Sequence, residues 1–250
     1  MLPRLGSAVR YLSSASPPWR WRICKGDCPA CGQTRFLALR PSPFHTRCLR
    51  CRANVVNLSL IPVIVRHFGG NFAGRSAYEL SSYGATYDFL RTHFRDFTFS
   101  EYMPERDFGK IYDGIRNEDV QKLTFGRGVF DLVTSNQVFE HVPDDEAAYR
   151  ECFRVLKEGG ALIFTVPLHE TSQTEQVAEL TGNGQIRWLG TPEYHDSRLG
   201  GPRSAPVFWR YSARDLPDRV RKAGFRRVTL EEVVLCPAQG VPERVVYAVK

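Results

Sequence analysis

Four of the seven cysteines fall into two Cys-x-x-Cys pairs, Cys28-Pro-Ala-Cys31 and Cys48-Leu-Arg-Cys51, with sixteen residues between them. Each pair sets two thiolates on one tight turn, and two such turns brought together complete a tetrahedral S₄ site for structural Zn²⁺. A closed S₄ site keeps no open coordination position, so its expected role is structural, as a platform or lid at the mouth of the next domain. His45 lies between the pairs as an alternative ligand or a solvated loop residue. Three further histidines, His141, His169 and His195, are groups whose ordinary pKa suits proton transfer near neutrality.

The elements that must position these groups follow from the apolar pattern. Phe36 to Leu39 and Phe44 to Thr46 read as two short strands of a ribbon. So small a unit draws its folding energy from the metal. From Ala77 onward, short apolar runs alternate with helical periodicity, which predicts parallel strands joined by helices. Strands are expected at Ala77 to Leu80, Phe97 to Ser100, Val129 to Thr134 and Ala161 to Val166. A helix opens at Asp144 or Asp145, turns Ala148, Cys152, Val155 and Leu156 inward, and should stop at Gly159-Gly160. Ser212 to Ala223 reads as the last helix, and Val228 to Leu235 with Arg244 to Val249 as a closing antiparallel pair.

At 250 residues, 42% apolar and 24% charged, the chain can bury the core of an α/β domain, which excludes a disordered tail or a fibrous rod. The longest uncharged apolar stretch, Val55 to Val65, is far short of the roughly 20 residues of a membrane span. The net charge of +7 is uneven: residues 1–52 hold ten Arg and Lys against one acid, Asp27, and the remainder is slightly acidic. A basic zinc module of this kind suits RNA or another polyanion, or is a solvated surface. Residues 1–22, rich in Arg and Ser and free of acids, read as a basic N-terminal segment or an organellar targeting peptide. Cys24, Cys152 and Cys236 lack motif spacing, so cysteine usage favours a metal site in a reducing, cytoplasmic compartment over a disulfide framework.

The run from Phe130 to Pro167, FDLVTSNQVFEHVPDDEAAYRECFRVLKEGGALIFTVP, resembles the middle of a class I S-adenosylmethionine-dependent methyltransferase of the type 11-like group. The likeness lies in a strand ending before Glu-His-Val-Pro-Asp, a helix ending Arg-Val-Leu-Lys-x-Gly-Gly, and a following strand. It implies a Rossmann-like, doubly wound α/β sheet of seven strands, mostly parallel with one antiparallel C-terminal strand, over residues 61–250. A small zinc ribbon at residues 23–60 precedes it. The cofactor, S-adenosyl-L-methionine, is then expected across the C-terminal strand ends.

By the same resemblance, Glu79, Ser81, Ser82 and Gly84 form the first cofactor loop, with only Gly84 left of the usual glycines. Glu101 is placed to accept both ribose hydroxyls, with Tyr102 beside it. Asp119 and Val120 flank the adenine, and Asn136 and Gln137 the methionine moiety. His195, in Pro192-Glu193-Tyr194-His195-Asp196, resembles a Pro-Glu-Tyr-His motif on an insertion at residues 171–206 that would shape the acceptor pocket. His195 is expected as base or acceptor-binding residue, His169 as the next candidate, and His141 as a base or a loop-fixing hydrogen-bonder. The insertion itself reads as a lid or as a compact rigid unit. The leading function is methyl transfer to a small-molecule or saccharide acceptor, at oxygen. The alternatives are an RNA methyltransferase using the basic knuckle, and a non-catalytic zinc module on a degenerate methyltransferase fold.

Overall fold

The structure is a computed structural model that describes residues 17–197 and 200–250, so most of the basic segment 1–22 lies outside the described residues. The ribbon has three antiparallel strands, β1 (Arg22–Lys25), β2 (Arg35–Ala38) and β3 (Thr46–Cys48). The expected strand at Phe44 to Thr46 is displaced toward Cys48, and Phe44 stands exposed in the turn before it. Two short helices follow, α1 (Val55–Leu58) and α2 (Leu60–Phe68). Asn54 caps the first by accepting from the Asn57 amide.

The body of the chain contributes β4 (Ser76–Glu79), α3 (Ala85–His93), β5 (Asp96–Glu101), β6 (Ile111–Tyr112), β7 (Ile115–Asn117), β8 (Phe130–Asn136), α4 (Asp145–Val155) and β9 (Leu156–Thr165). Seven short strands follow: β10 (Leu168–His169), β11 (Glu175–Gln176), β12 (Ala178–Leu180), β13 (Ile186–Trp188), β14 (Tyr194–Ser197), β15 (Gly201–Pro206) and β16 (Trp209–Ser212). Helix α5 (Leu216–Arg221) and strands β17 (Arg227–Val233) and β18 (Glu243–Val249) complete the fold.

The central sheet runs β17-β18-β9-β8-β4-β5-β7-β6. Strands β9, β8, β4, β5 and β7 are mutually parallel, and β18 is antiparallel to both of its neighbours. The expected seven strands are thus joined by an eighth, the two-residue β6, which forms a hairpin with β7 at the edge. Alternation along the strands divides the core between two faces. Tyr78, Val133, Leu162, Phe164 and Val246 face α4 and α5, whereas Ala77, Leu132, Ile163, Val245 and Tyr247 face α1 to α3. Phe36, Cys28 and Cys48 of the ribbon pack into this second cluster.

Three local expectations are corrected. Helix α4 opens as expected, with the Asp144 side chain accepting from Ala147 N at 2.8 Å, but it ends at Val155. Gly159 and Gly160 instead lie within β9, where the register with β8 jumps from Phe130↔Leu156 to Leu132↔Ala161. Strand β9 must accommodate three extra residues there, and Gly159 takes φ +74° to do so. The last helix is shorter than Ser212 to Ala223: Ser212 closes β16, and Pro217 in the first turn sets the start of α5. Cys24 and Cys236, 212 residues apart, are joined in a disulfide with Cα atoms 6.4 Å apart, although cysteine usage favoured a metal site over a disulfide framework. Among the described residues no helix is long and apolar enough to cross a membrane.

Candidate active site and metal centre

The four motif cysteines converge as their spacing requires. Cys28 Sγ lies 3.7 Å from Cys51 Sγ and Cys31 Sγ 3.5 Å from Cys48 Sγ, and all four sulfurs fall within 4.8 Å of one another. Sulfurs held about 2.3 Å from a tetrahedral zinc stand at such separations, so the donor set fits the ion. His45 is turned to Ser42, with Nδ1 3.0 Å from its hydroxyl.

The parallel strands place their C-terminal ends along one edge of the sheet, and the predicted cofactor residues gather there. Glu79, at the end of β4, is buried. It accepts from Thr134 Oγ1 and, at 3.4 Å, from Ser81 Oγ. Burial pushes its carboxyl up to about 7, against the pull of these two hydroxyls. Glu101, at the end of β5, accepts from Ser82 N at 2.8 Å and Ser82 Oγ at 2.6 Å. One carboxylate oxygen thereby ties down the loop whose missing glycines would otherwise leave it to backbone contacts. Gly84 ends the loop at φ +105°, a conformation that favours glycine, with Asn57 Oδ1 3.3 Å from where a Cβ would sit. Asp119 caps the turn at Val120–Lys122 by accepting from Gln121 N at 2.9 Å.

Asn136, at the end of β8, donates to Thr86 Oγ1 at 3.0 Å and accepts from Thr165 Oγ1 at 3.1 Å, joining β8, β9 and α3. The next residue, Gln137, is held at φ +54°, uncommon for a side chain of its size and typical of strained functional turns.

Two clefts open on this edge. The first, about 110 Å³, is lined by Glu101, Tyr102, Asp119, Val120 and His141 among others. The second, about 840 Å³, is lined by Tyr83, Asn136, Gln137, His141 and His195. Its far wall comes from Ser42, Pro43 and Phe44 of the ribbon and from Glu243 and Arg244 at the start of β18. His141 borders both clefts. The ribbon thus stands at the mouth of the second cleft.

His195 reaches His141 because the insertion is stitched to the turn after β8. Phe208 N donates to Glu140 O at 2.7 Å, Trp209 Nε1 to Val142 O at 2.9 Å and Val207 N to Glu193 O at 3.0 Å. His195 Nδ1 then lies 3.2 Å from His141 Nε2, while His141 Nδ1 lies 2.8 Å from Pro206 O. Burial keeps both imidazoles below their ordinary pKa, His141 at about 4 despite its bond to Pro206 and His195 despite the nearby Glu193 carboxylate. In both rings burial favours the neutral form. His169 is placed differently: its neighbours Leu168 and Glu170 line the second cleft, and the ring itself lies within charge range of Glu193 and His195.

Two residues that sequence reasoning missed stand out. Glu140, next to His141, is buried, and burial drives its carboxyl to about 8. Its place in the quoted Glu-His-Val-Pro-Asp turn was the available signal. Glu243 is raised to about 7 by burial at the rim of the second cleft, and no local pattern marked it.

Residues 78–164 match the family described as a methyltransferase domain. A sarcosine/dimethylglycine N-methyltransferase of Halorhodospira halochloris is 27% identical over 67% of this chain and 53% of its own length. A ubiquinone biosynthesis O-methyltransferase of Caulobacter vibrioides is 36% identical over 30% of this chain and 29% of its own length. The chain thus spans about half of the first relative and under a third of the second. Among solved structures, an S-adenosylmethionine-dependent methyltransferase from Mesorhizobium loti superposes with a TM-score of 0.51 at 18% identity, covering 76% of this chain and 97% of that one. The Burkholderia thailandensis 1,6-didemethyltoxoflavin-N1-methyltransferase, holding S-adenosylhomocysteine, gives 0.51 at 14% identity over 78% of each chain. The chain carries a methyltransferase domain on the fold of the S-adenosylmethionine-dependent methyltransferases.

Proposed function

We propose that this protein transfers a methyl group from S-adenosyl-L-methionine to a hydroxyl oxygen of a small-molecule or saccharide acceptor. The observation that carries the reading is the meeting of two clefts at His141, one bordered by the carboxylates expected to hold an adenosine and the other open and rich in hydrogen-bonding side chains. The bound cofactor supplies a methyl group already activated on a sulfonium. The protein's task is to align the acceptor, exclude water and take one proton.

In this reading Glu101 receives the ribose hydroxyls with the oxygen not committed to Ser82, and Asp119, Val120 and Tyr102 border the adenine. Glu79 faces the ammonium, Ser81, Ser82 and Gly84 shape the turn around it, and Asn136 and Gln137 border the methionine moiety. His195 takes the acceptor proton, with His169 behind it as the alternative base, and His141 orients His195. The division into ribbon (residues 23–60), methyltransferase domain (residues 61–250) and acceptor insertion (residues 171–206) assigns zinc a structural role in holding one wall of the acceptor cleft. Oxygen as acceptor atom draws on the Caulobacter relative, and nitrogen, named for the Halorhodospira relative, is the competing outcome.

The test is incubation with methyl-deuterated cofactor and a panel of phenols, sugars and amino acids, read by mass spectrometry, beside calorimetry with S-adenosylhomocysteine. O-methylated product would support the reading, N-methylated product would redirect it, and a folded protein that fails to bind S-adenosylhomocysteine would overturn it in favour of a binding module. A second reading keeps the chemistry with RNA as acceptor. It is favoured by a groove of about 590 Å³ at the ribbon's edge, lined by Trp19, Arg20, Arg22 and Arg40, where Trp19 is 81% exposed. RNA binding that weakens steeply with salt would support it.

A further inference from the structure

Glu140 stands beside His141 and His195 and has no part in methyl transfer as just described. The Glu140 side chain is 1% exposed, and neither of its carboxylate oxygens has a hydrogen-bond partner. A buried carboxylate left without a partner is costly, and native structures pair such groups or place them on a metal. Glu140 Oε1 stands 3.6 Å from His141 Nε2 and 3.8 Å from His195 Nδ1, both too long for hydrogen bonds.

The ring protons sharpen the problem. His141 Nδ1 is 2.8 Å from Pro206 O, a carbonyl that can only accept, so Nδ1 carries the hydrogen and Nε2 presents a lone pair. His195 Nε2 lies 3.7 Å from Glu193 Oε1, beyond hydrogen-bond reach, but the charge of that carboxylate, held by Arg210 at 2.8 Å, favours the proton on Nε2 and a lone pair on Nδ1. Two nitrogens bearing lone pairs and a carboxylate oxygen therefore stand within 3.8 Å of one another. The alternative tautomer, with His195 donating to His141 across 3.2 Å, still leaves Glu140 unanswered.

The three separations of 3.2, 3.6 and 3.8 Å define a triangle. The point equidistant from its corners lies about 2.1 Å from each atom, which is the length of zinc bonds to histidine nitrogen and carboxylate oxygen. The outer shell agrees at His141: a ligating histidine commonly donates its other N–H to a carbonyl or carboxylate, as Pro206 O is placed to receive at 2.8 Å.

We infer that Glu140, His141 and His195 form a second metal site, distinct from the four-cysteine centre, that takes a divalent transition ion such as Zn²⁺. Three protein ligands leave a coordination position open, as catalytic rather than structural zinc sites do, and both histidines line the acceptor cleft. The open position suits the oxygen of an acceptor, whose hydroxyl the ion would acidify. That role rests on the proposed methyl transfer, whereas the site itself does not. With the ion in place His195 is a ligand, and the proton of the acceptor hydroxyl passes to His169, the alternative base, within charge range of His195.

The experiment is elemental analysis and cobalt(II) substitution of the full chain, beside His195→Ala and Glu140→Gln variants. Wild type should bind two equivalents of zinc. In the cobalt form, only one equivalent should show thiolate-to-cobalt charge transfer, the other showing the weaker bands of nitrogen and oxygen ligands. Each variant should keep the thiolate centre and lose the second equivalent, its affinity falling by at least about 100-fold. One equivalent in wild type, or a second equivalent retained in His195→Ala, would overturn the site. Glu140→Gln replaces a buried group and is read only if soluble and folded; His195 lies on a surface hairpin and carries the test alone. S-adenosylhomocysteine titration of wild type separates the two proposals: two metals without cofactor binding would sink the methyl-transfer reading and leave the metal site standing.

Discussion

Glu101 performs two tasks that one substitution can separate. Its Oε1 accepts both the amide and the hydroxyl of Ser82, at 2.8 and 2.6 Å, and Ser82 is buried. Glu101→Ala removes the acceptor of both bonds, and a loss of roughly 1–3 kcal/mol is expected. For a domain of this size that lowers Tm by about 2–12 °C. Glu101→Gln keeps a carbonyl oxygen in place for Ser82 and should unfold close to wild type. What glutamine cannot keep is the charge and the second acceptor proposed for the ribose. Exchanging charge-assisted hydrogen bonds for neutral ones costs about 1–3 kcal/mol, equivalent to roughly 10- to 100-fold weaker S-adenosylhomocysteine binding. Scanning calorimetry and isothermal titration on the two variants read the two effects apart. A Glu101→Gln protein that binds as tightly as wild type would refute the ribose assignment and reduce Glu101 to a loop brace.

Four further outcomes are expected. Because burial holds Glu79 near 7, its carboxyl is largely protonated below that pH, so affinity for an ammonium-bearing cofactor should fall as pH drops from about 8 to 6 and become pH-independent in Glu79→Gln, read by titration across that range. Asp131 is lowered from 3.8 to about 2: burial would raise it, but Lys157, Ser76 and Arg75 outweigh burial. Its folded pKa lies below the unfolded one, so this stabilisation is present above about pH 4 and lost as pH falls toward 2; Asp131→Asn should cost about 2 kcal/mol in urea unfolding at pH 7 and little at pH 2. Gly84→Ala, forced to φ +105° beside Asn57, should lose about 1–2 kcal/mol in the same assay. Cys48→Ser should release the ribbon zinc and weaken acceptor binding while S-adenosylhomocysteine still binds, since the ribbon lines only the second cleft; simultaneous loss of both would contradict that division.

Short-range physics made much of this molecule legible in its residues. The paired Cys-x-x-Cys turns are local, and their sulfurs meet because each turn already holds two. The run Phe130 to Thr134 is apolar on both faces because β8 is buried on both, and Asp144 caps α4 through a bond three residues long. The same logic failed where a signal had two meanings. Gly159-Gly160 can end a helix or let a strand bulge, and the pairing of β8 with β9 chose the bulge. Trp209 to Ser212 became a strand because β10 and β11 lie on either side of it.

The sequence by itself determined the α/β class, the strands that carry the carboxylates and the metal-binding composition of the ribbon, since each follows from periodicity or spacing along the chain. Only the tertiary structure decided that His195 crosses 54 residues to meet His141, that Glu140 is buried without a hydrogen-bond partner, and that the ribbon forms one wall of the second cleft. Those facts depend on where the insertion returns across the sheet edge. That path is set by Phe208, Trp209 and Val207 bonding to distant backbone groups, contacts that leave no period in the chain.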